Sequence, residues 1–241
     1  PTEAGNMPMN FFLKFFQNHG LFKLKNRPQW YTVAQRSRNY VNKVLSQISG
    51  EHYKNYQINS VKRISSGVQV FYGGNNEFFD YDKVVLATHA NEALSLIKNP
   101  TDLEKSILSN FGYKENNAVL HFEEKMMPRN KKAWSSWNSF VDPKNLNKSS
   151  LSYWLNLLQN LKVEKNIFLT LNPFRDIPEE KILKKIKFTH PYYDRLALEN
   201  QKNLKNIQNK ENLLFCGSYF GYGFHEDGIK SSIEMLKNLN D

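Results

Sequence analysis

The stretch Leu213-Leu-Phe-Cys216-Gly217-Ser-Tyr-Phe-Gly221-Tyr-Gly223-Phe-His225-Glu226-Asp227-Gly228 decides how the chain is read. A short, continuous apolar run predicts a buried strand, the dense glycines predict a turn, and Ile229 to Leu239 repeats its apolar residues at helical spacing. Strand, glycine loop and helix start together make an anion site. Bare backbone lets a ligand approach, and the unpaired N–H groups of the helix start point at it. The spacing G-x-x-x-G-x-G is neither the dinucleotide fingerprint nor a P-loop, so a plain structural turn explains the glycines equally well. His225-Glu226-Asp227-Gly228 tilts the balance towards a ligand, although the acidic pair is also what caps a helix.

Working outward, Lys83-Val-Val-Leu-Ala87 is a second short apolar run, of the kind buried on both faces in parallel or mixed sheets. Thr88-His89-Ala90-Asn91 opens a helix to about Ile97, and Thr101-Asp-Leu-Glu104 has the capping-box pattern of another. Before these, Ile58, Val61 and Ile64 fall in one strand and Val68–Tyr72 in the next. Gly73-Gly74-Asn75-Asn76 turns back into Glu77-Phe78-Phe79. Earlier still, Phe11, Phe12, Phe15 and Phe16 form a helical stripe behind Pro8, either core or a lysine-flanked lipid contact. Asn26–Val33 reads as a turn and short strand, and Ser37 caps a helix to about Ser49.

Residues 112–190 carry a different pattern. Ala118–Glu123, Ala133–Phe140, Leu151–Leu158, Ile167–Asn172 and Ile182–Thr189 predict a largely antiparallel sheet showing Trp134, Trp137, Tyr153 and Trp154, followed by a helix from Asp194 to about Gln208. Indoles beside carboxamides, as in Trp137-Asn138 and Tyr153-Trp154, suit an amphipathic pocket; core aromatics with surface amides are the alternative.

The 241 residues carry 33 basic and 23 acidic side chains, a net +10, and 14% aromatics, enough for a globular core and too aromatic for a disordered tail. Residues 1–60 hold eight basic and two acidic groups, 61–125 seven and nine, and the rest eighteen and twelve. No block of five or six consecutive basic residues exists, so a nucleic-acid arm is not expected. An anionic membrane surface, or simply a solvated lysine-rich face, is. One cysteine and no long apolar run point to a cytoplasmic, at most membrane-peripheral, protein. Cys216, inside a strand, reads as an inert buried thiol, and Ser218 lacks a nucleophile elbow. Six histidines, none spaced as H-x-x-x-H, give no metal site. The start, Pro1-Thr-Glu-Ala-Gly-Asn6, is not a signal peptide and reads as the middle of a longer chain.

Taken in order, His19-Gly20-Leu21, Arg27-Pro28-Gln29-Trp30-Tyr31-Thr32-Val33, Val84–Ala90, Met127-Pro128-Arg129, Ser136-Trp137-Asn138, Thr170–Pro173, His190-Pro191 and Gly221–Gly228 resemble the flavin-containing amine oxidase superfamily. The resemblance spans the chain and is nearest to a bacterial branch of predicted NAD/FAD-binding oxidoreductases, similar to the oxidase-like domain of plant cyclopropane fatty acid synthases. It implies an α/β fold, α+β within this stretch: part of an FAD-binding domain (27–98 and 212–241) and a substrate domain on a mainly antiparallel sheet (1–26 and 99–211). It also implies a missing N-terminal Rossmann portion of roughly 170 to 180 residues. FAD would be held at Val61, Ala87, Thr88, Gly217, Ser218, His225, Glu226, Asp227 and Gly228. His225, Trp137, His121, Asn138 and Tyr153 would lie about the substrate, which is lipid-like or an amine. The implied activity is hydride transfer to flavin, with acyl-chain desaturation its concrete form, amine oxidation an alternative, and a non-catalytic module awaiting a separate Rossmann half the reading of another class. The sequence departs from the family at Gln35-Arg36-Ser37, where Gly-Gly-Ser is usual.

Overall fold

The computed structural model describes residues 7–29, 31–74 and 77–239, with the side chain of Asn147 left aside. Trp30, Asn75, Asn76 and the first six residues, all named in the sequence reading, lie outside the described residues. Two compact units result: Tyr113–His190, and Met7–Gly112 with Pro191–Asp241.

The discontinuous unit holds three groups of elements. β1 (Ile58–Ile64), β2 (Gly67–Tyr72) and β3 (Glu77–Tyr81) form an antiparallel meander, with Val61 opposite Val70 and Val70 opposite Phe79. Val61 and Val68 are buried, with Lys62 turned outward beside Val61. β4 (Val84–Leu86) and β10 (Leu213–Phe215) pair in parallel, joining segments far apart in sequence. β10 is buried throughout, as its apolar run predicts, but β4 is not: Val85 is 39% exposed. A continuous apolar run is buried throughout only where both faces are covered, and the face of β4 that carries Val85 is open.

The helices of this unit are α1 (Met9–Asn18), α2 (Ser37–Leu45), α3 (Ala90–Leu96), α4 (Asp102–Leu108), α6 (Arg195–Gln201) and α7 (His225–Leu236). The capping box of α4 is formed in full: Glu104 N–H donates to Thr101 Oγ1 at 3.2 Å, and Thr101 N–H donates to the Glu104 carboxylate at 2.8 Å. Glu104 is 1% exposed and also pairs with Arg63, which reaches Glu211 at 3.0 Å. Several expected boundaries shift. α2 ends at Leu45 rather than Ser49, with Arg36 in the cap position and Ser37 already helical. α6 stops at Gln201 and passes into a tight 3-10 turn at Leu204–Ile207. α7 begins at His225, so the acidic pair belongs to its first turn. No strand forms across the described residues of 27–33. Tyr31 is 88% exposed there, and a strand without a partner leaves its backbone groups unpaired.

The Tyr113–His190 unit is the antiparallel sheet. Its strands are β5 (Gly112–His121), β6 (Trp137–Asp142), β7 (Asn145–Trp154), β8 (Phe168–Leu171) and β9 (Ile182–Tyr192), in the order β6-β7-β8-β5-β9. A one-turn helix, α5 (Leu155–Leu158), takes the place of the predicted end of β7 because Trp154 leads directly into helical backbone. β6 begins at Trp137, four residues later than expected, since Lys131–Ala133 winds as a 3-10 turn capped by Asn130.

Candidate functional site

Because β4 and β10 run parallel, their carboxyl ends lie side by side, and the loops leaving them carry Ala87-Thr88 and Gly217-Ser218. In open α/β sheets that edge is where ligands bind. Gly217 takes φ 156°, and a Cβ there would stand 2.8 Å from the Tyr219 ring and 3.4 Å from the Thr88 carbonyl oxygen, so only glycine fits. Its N–H donates to Ser231 Oγ at 2.9 Å, and that hydroxyl donates to the Gly228 carbonyl at 2.7 Å, tying the loop to α7. Gln201 closes it from the other side, donating to the carbonyls of Tyr219 and Gly221 at 3.0 and 2.6 Å.

The start of α7 follows. Asp227 accepts the Phe224 N–H at 3.0 Å, and a side chain on Gly221 would collide with that carboxylate. The acidic residue at the helix start is therefore its own cap, as one of the two sequence readings held. Glu226 turns outward to Lys230 at 3.4 Å. The first helical bond runs from Gly228 N–H to Phe224 C=O, so the N–H groups of His225, Glu226 and Asp227 precede it, with no protein acceptor among the described residues. Gly228 adds the second feature. A Cβ at this helical position would meet nothing nearer than Ser218 N at 3.9 Å, so nothing in the packing requires glycine. In a helix, glycine costs about 1 kcal/mol relative to alanine, and here it leaves clear space beside three free donors.

The backbone at Gln35-Arg36 keeps the geometry expected of glycine. Both have positive φ, and Arg36 at φ 68°, ψ −169° occupies a region essentially confined to glycine. On α2 just beyond, Tyr40 Oη lies 3.5 Å from His225 Nδ1. Val61 sits on the meander instead, fully buried, its carbonyl accepting the Lys98 N–H at 2.9 Å.

In the antiparallel sheet the register sorts the other candidates. Asn138 stands opposite Ser152, Ser152 opposite Thr170 and Thr170 opposite Val119, which places His121 on the same face two residues on. Trp137 stands opposite Tyr153, and Tyr153 opposite Leu169, on the other face. Sequence reasoning grouped these four residues as one pocket; the sheet separates them into two pairs. Asn138 and His121 are buried and engaged. Asn138 Oδ1 accepts the Ser135 N–H at 3.1 Å, and its amide donates to the Ser135 and Ser152 carbonyls. His121 Nδ1 accepts the Glu123 N–H at 3.0 Å, which assigns the proton to Nε2, 2.8 Å from Thr170 Oγ1; Thr170 in turn meets Ser152 Oγ at 2.8 Å. Burial pushes the imidazole down to about 4, the nearby Glu123 charge opposing. Glu123 is held below the usual carboxylate range by the Lys125 backbone N–H and by Lys181 at 2.9 Å. Trp137 and Tyr153 form an edge-on pair at 5.9 Å, with Trp137 55% exposed and the Tyr153 phenol raised by burial. Leu151, Leu169 and Leu171 share their face, half-buried.

No protein-family model matches the chain, and no curated protein matches it in sequence. Solved structures do match. A fatty acid isomerase from P. acnes that produces CLA is 13% identical, with 86% of this chain and 52% of that one covered at a TM-score of 0.58. Putrescine oxidase bound to putrescine is 9% identical, covering 86% and 53% at 0.57. Cyclohexylamine oxidase from Brevibacterium oxydans is 10% identical, covering 77% and 49% at 0.50. The chain shares their fold. It spans about half the length of each. Among the described residues, no three His, Cys, Asp or Glu side chains gather as a metal site, and no helix is long and apolar enough to cross a membrane.

Proposed function

We propose that the protein is an FAD-dependent oxidoreductase, with this chain supplying part of the cofactor cradle and the substrate sheet. The observation that carries the reading is the start of α7. Three free N–H groups and the side-chain space left by Gly228 stand beside the carboxyl ends of two parallel strands. Those features fit the acceptor edge of a flavin pyrimidine ring. Ala87, Thr88, Gly217 and Ser218 would line the same edge, Val61 would serve the adenine end, and 27–98 with 212–241 would form the cofactor portion. When bound, FAD supplies the oxidising chemistry by accepting a hydride from a substrate C–H. The N–H groups of His225, Glu226 and Asp227 orient the ring and favour the negative charge that reduction develops, as the positive end of a helix does. Trp137 and Tyr153, with the leucines beside them, offer an apolar, aromatic surface to the substrate. Of the residues assigned to the reacting centre, His121 and Asn138 would act on the sheet rather than on the substrate. His225 stays a candidate at the helix start.

A lipid-like acyl chain suits the apolar face and accords with the likeness to a fatty acid isomerase. Amine oxidation is supported equally by the likeness to putrescine and cyclohexylamine oxidases. The reading of another class, a module that requires a separate N-terminal half, draws support from the apolar side chains left exposed at Val85, Tyr40, Val41 and Val44 of α2, and Ile229, Ile233 and Leu236 of α7. The test is the visible spectrum of the full-length protein, with Gly228→Ala beside it. The substitution should leave stability equal or higher and weaken FAD binding at least ten-fold. A protein that stays colourless after adding FAD, or a Gly228→Ala variant that binds FAD unchanged, would sink the proposal. Reduction by amines alone, with phospholipid acyl chains losing no hydrogen, would decide for the amine reading.

A further inference from the structure

The geometry points to α1 and the segment after it, as far as Arg27, as a docking surface for an anionic phospholipid bilayer. α1 is apolar on two sides. Its inner side packs: Phe11 lies 4.9 Å from both Tyr193 and Tyr222, and Phe15 lies 4.4 Å from His19 and 5.8 Å from Phe224. Its outer side stays open to solvent, although Phe12 and Phe22 each lie against Phe16 at 4.2 and 5.5 Å. Met9, Phe12 and Leu13 follow i, i+3, i+4 spacing at 69%, 38% and 47% exposed, and the chain continues with Leu21, Phe22 and Leu24 at 47%, 55% and 89%. A helix with two apolar sides, one packed and the other open and flanked by cations, has the pattern of a helix set into a lipid interface.

Charge decides what meets this surface. From Met7 to Gly50 the chain has seven basic residues, Lys14, Lys23, Lys25, Arg27, Arg36, Arg38 and Lys43, and no acidic one. Lys14, Lys23, Lys25 and Arg27 are exposed among the outer apolar side chains. Interleaved cations and large apolar groups match the two layers of an anionic membrane surface, where headgroup phosphates meet the cations and the acyl boundary takes the rings. Ten residues are too few to span a bilayer, so α1 lies along the surface. A nucleic acid would use the cations and leave the leucines wet. The inference stands apart from the flavin reading, because binding is scored without cofactor or turnover.

The test is sedimentation of the full-length protein with vesicles of phosphatidylcholine alone or with roughly 30% phosphatidylglycerol, at low and high salt. Binding to the anionic vesicles, weakened by salt, is expected. Since each cation near such a surface contributes about a five-fold gain, the combined Lys23→Gln, Lys25→Gln and Arg27→Gln variant should bind about a hundred-fold more weakly. Leu13→Glu with Phe22→Glu should abolish binding and keep the thermal unfolding of the wild type, both side chains being exposed. Failure of the full-length protein to bind anionic vesicles overturns the inference. So does equal binding by either variant, or protection of Leu13 and Phe22 from solvent in the free full-length protein.

Discussion

Lowering the pH should loosen the Tyr113–His190 unit through His121. Its imidazole is fully buried, accepts the Glu123 N–H at Nδ1 and faces Thr170 at Nε2, so protonation adds a charge without solvent and a proton where an acceptor is needed. The folded state therefore holds the neutral form down to about 4, whereas the unfolded chain takes up its proton near 6.5. The unfolded state binds more protons between these values, so stability is complete above 6.5 and falls as pH drops towards 4. At 1.36 kcal/mol per pH unit the loss is about 2 kcal/mol by pH 5 and roughly 3 kcal/mol by pH 4. Glu123, held below its usual range, contributes in a lower window: its stabilisation is present above its unfolded value of 4.5 and is lost as pH falls below that. Urea unfolding at pH 7, 6 and 5 isolates the histidine. Three of the four tryptophans, Trp134, Trp137 and Trp154, lie in this unit and report its unfolding by fluorescence. His121→Gln should remove the slope between pH 7 and 5. A wild-type midpoint that does not move over that range, or a slope that survives in His121→Gln, would refute the reasoning.

Other perturbations are equally direct. Gly217→Ala forces a Cβ against the Tyr219 ring at φ 156° and should cost about 2 kcal/mol by denaturant titration. Arg36→Gly relieves a backbone conformation that glycine alone adopts freely and should raise stability by about 1 kcal/mol in the same assay. Glu104→Ala leaves the Arg63 guanidinium short of its buried partner and removes half of the α4 capping box. A loss of about 3 kcal/mol is expected, against about 1 kcal/mol for Thr101→Ala. Trp137→Ala, at an exposed site, should change the thermal midpoint little and, in the holoenzyme, raise KM.

The meander, the two short strands β4 and β10 and the α4 cap were legible because each rests on local pattern: alternation, a short apolar run, Thr101 and Glu104 three apart; that β4 and β10 pair was not. What failed locally did so for lack of a partner. Tyr31 belongs to a segment whose sequence is suited to pairing, and the described residues provide no strand beside it; Val85 is paired with Leu214, but its face of β4 is left open. The donors at the start of α7 were legible from Gly221–Gly228, and so was capping by the acidic pair as one of two readings; that Asp227 rather than Glu226 makes the cap was not, since it depends on where Gly221 lets the carboxylate sit. The parity of a single strand already separates Trp137 from Asn138. That His121 joins Asn138, and Tyr153 joins Trp137, required the register across four strands, which no single segment encodes.

The two strands that bound the Tyr113–His190 unit, β5 and β9, are neighbours in its sheet, and the Tyr192 ring occupies the place a side chain on Gly112 would need. The chain thus leaves the discontinuous unit and re-enters it at residues that touch. A segment whose ends meet in this way can lengthen its hairpins while the span that β4 and β10 must close stays set by Gly112 and Tyr192. Closure cost grows only with the logarithm of what hangs beyond it, so the sheet is free to diversify at little expense to the pairing that sets the α7 donors in place.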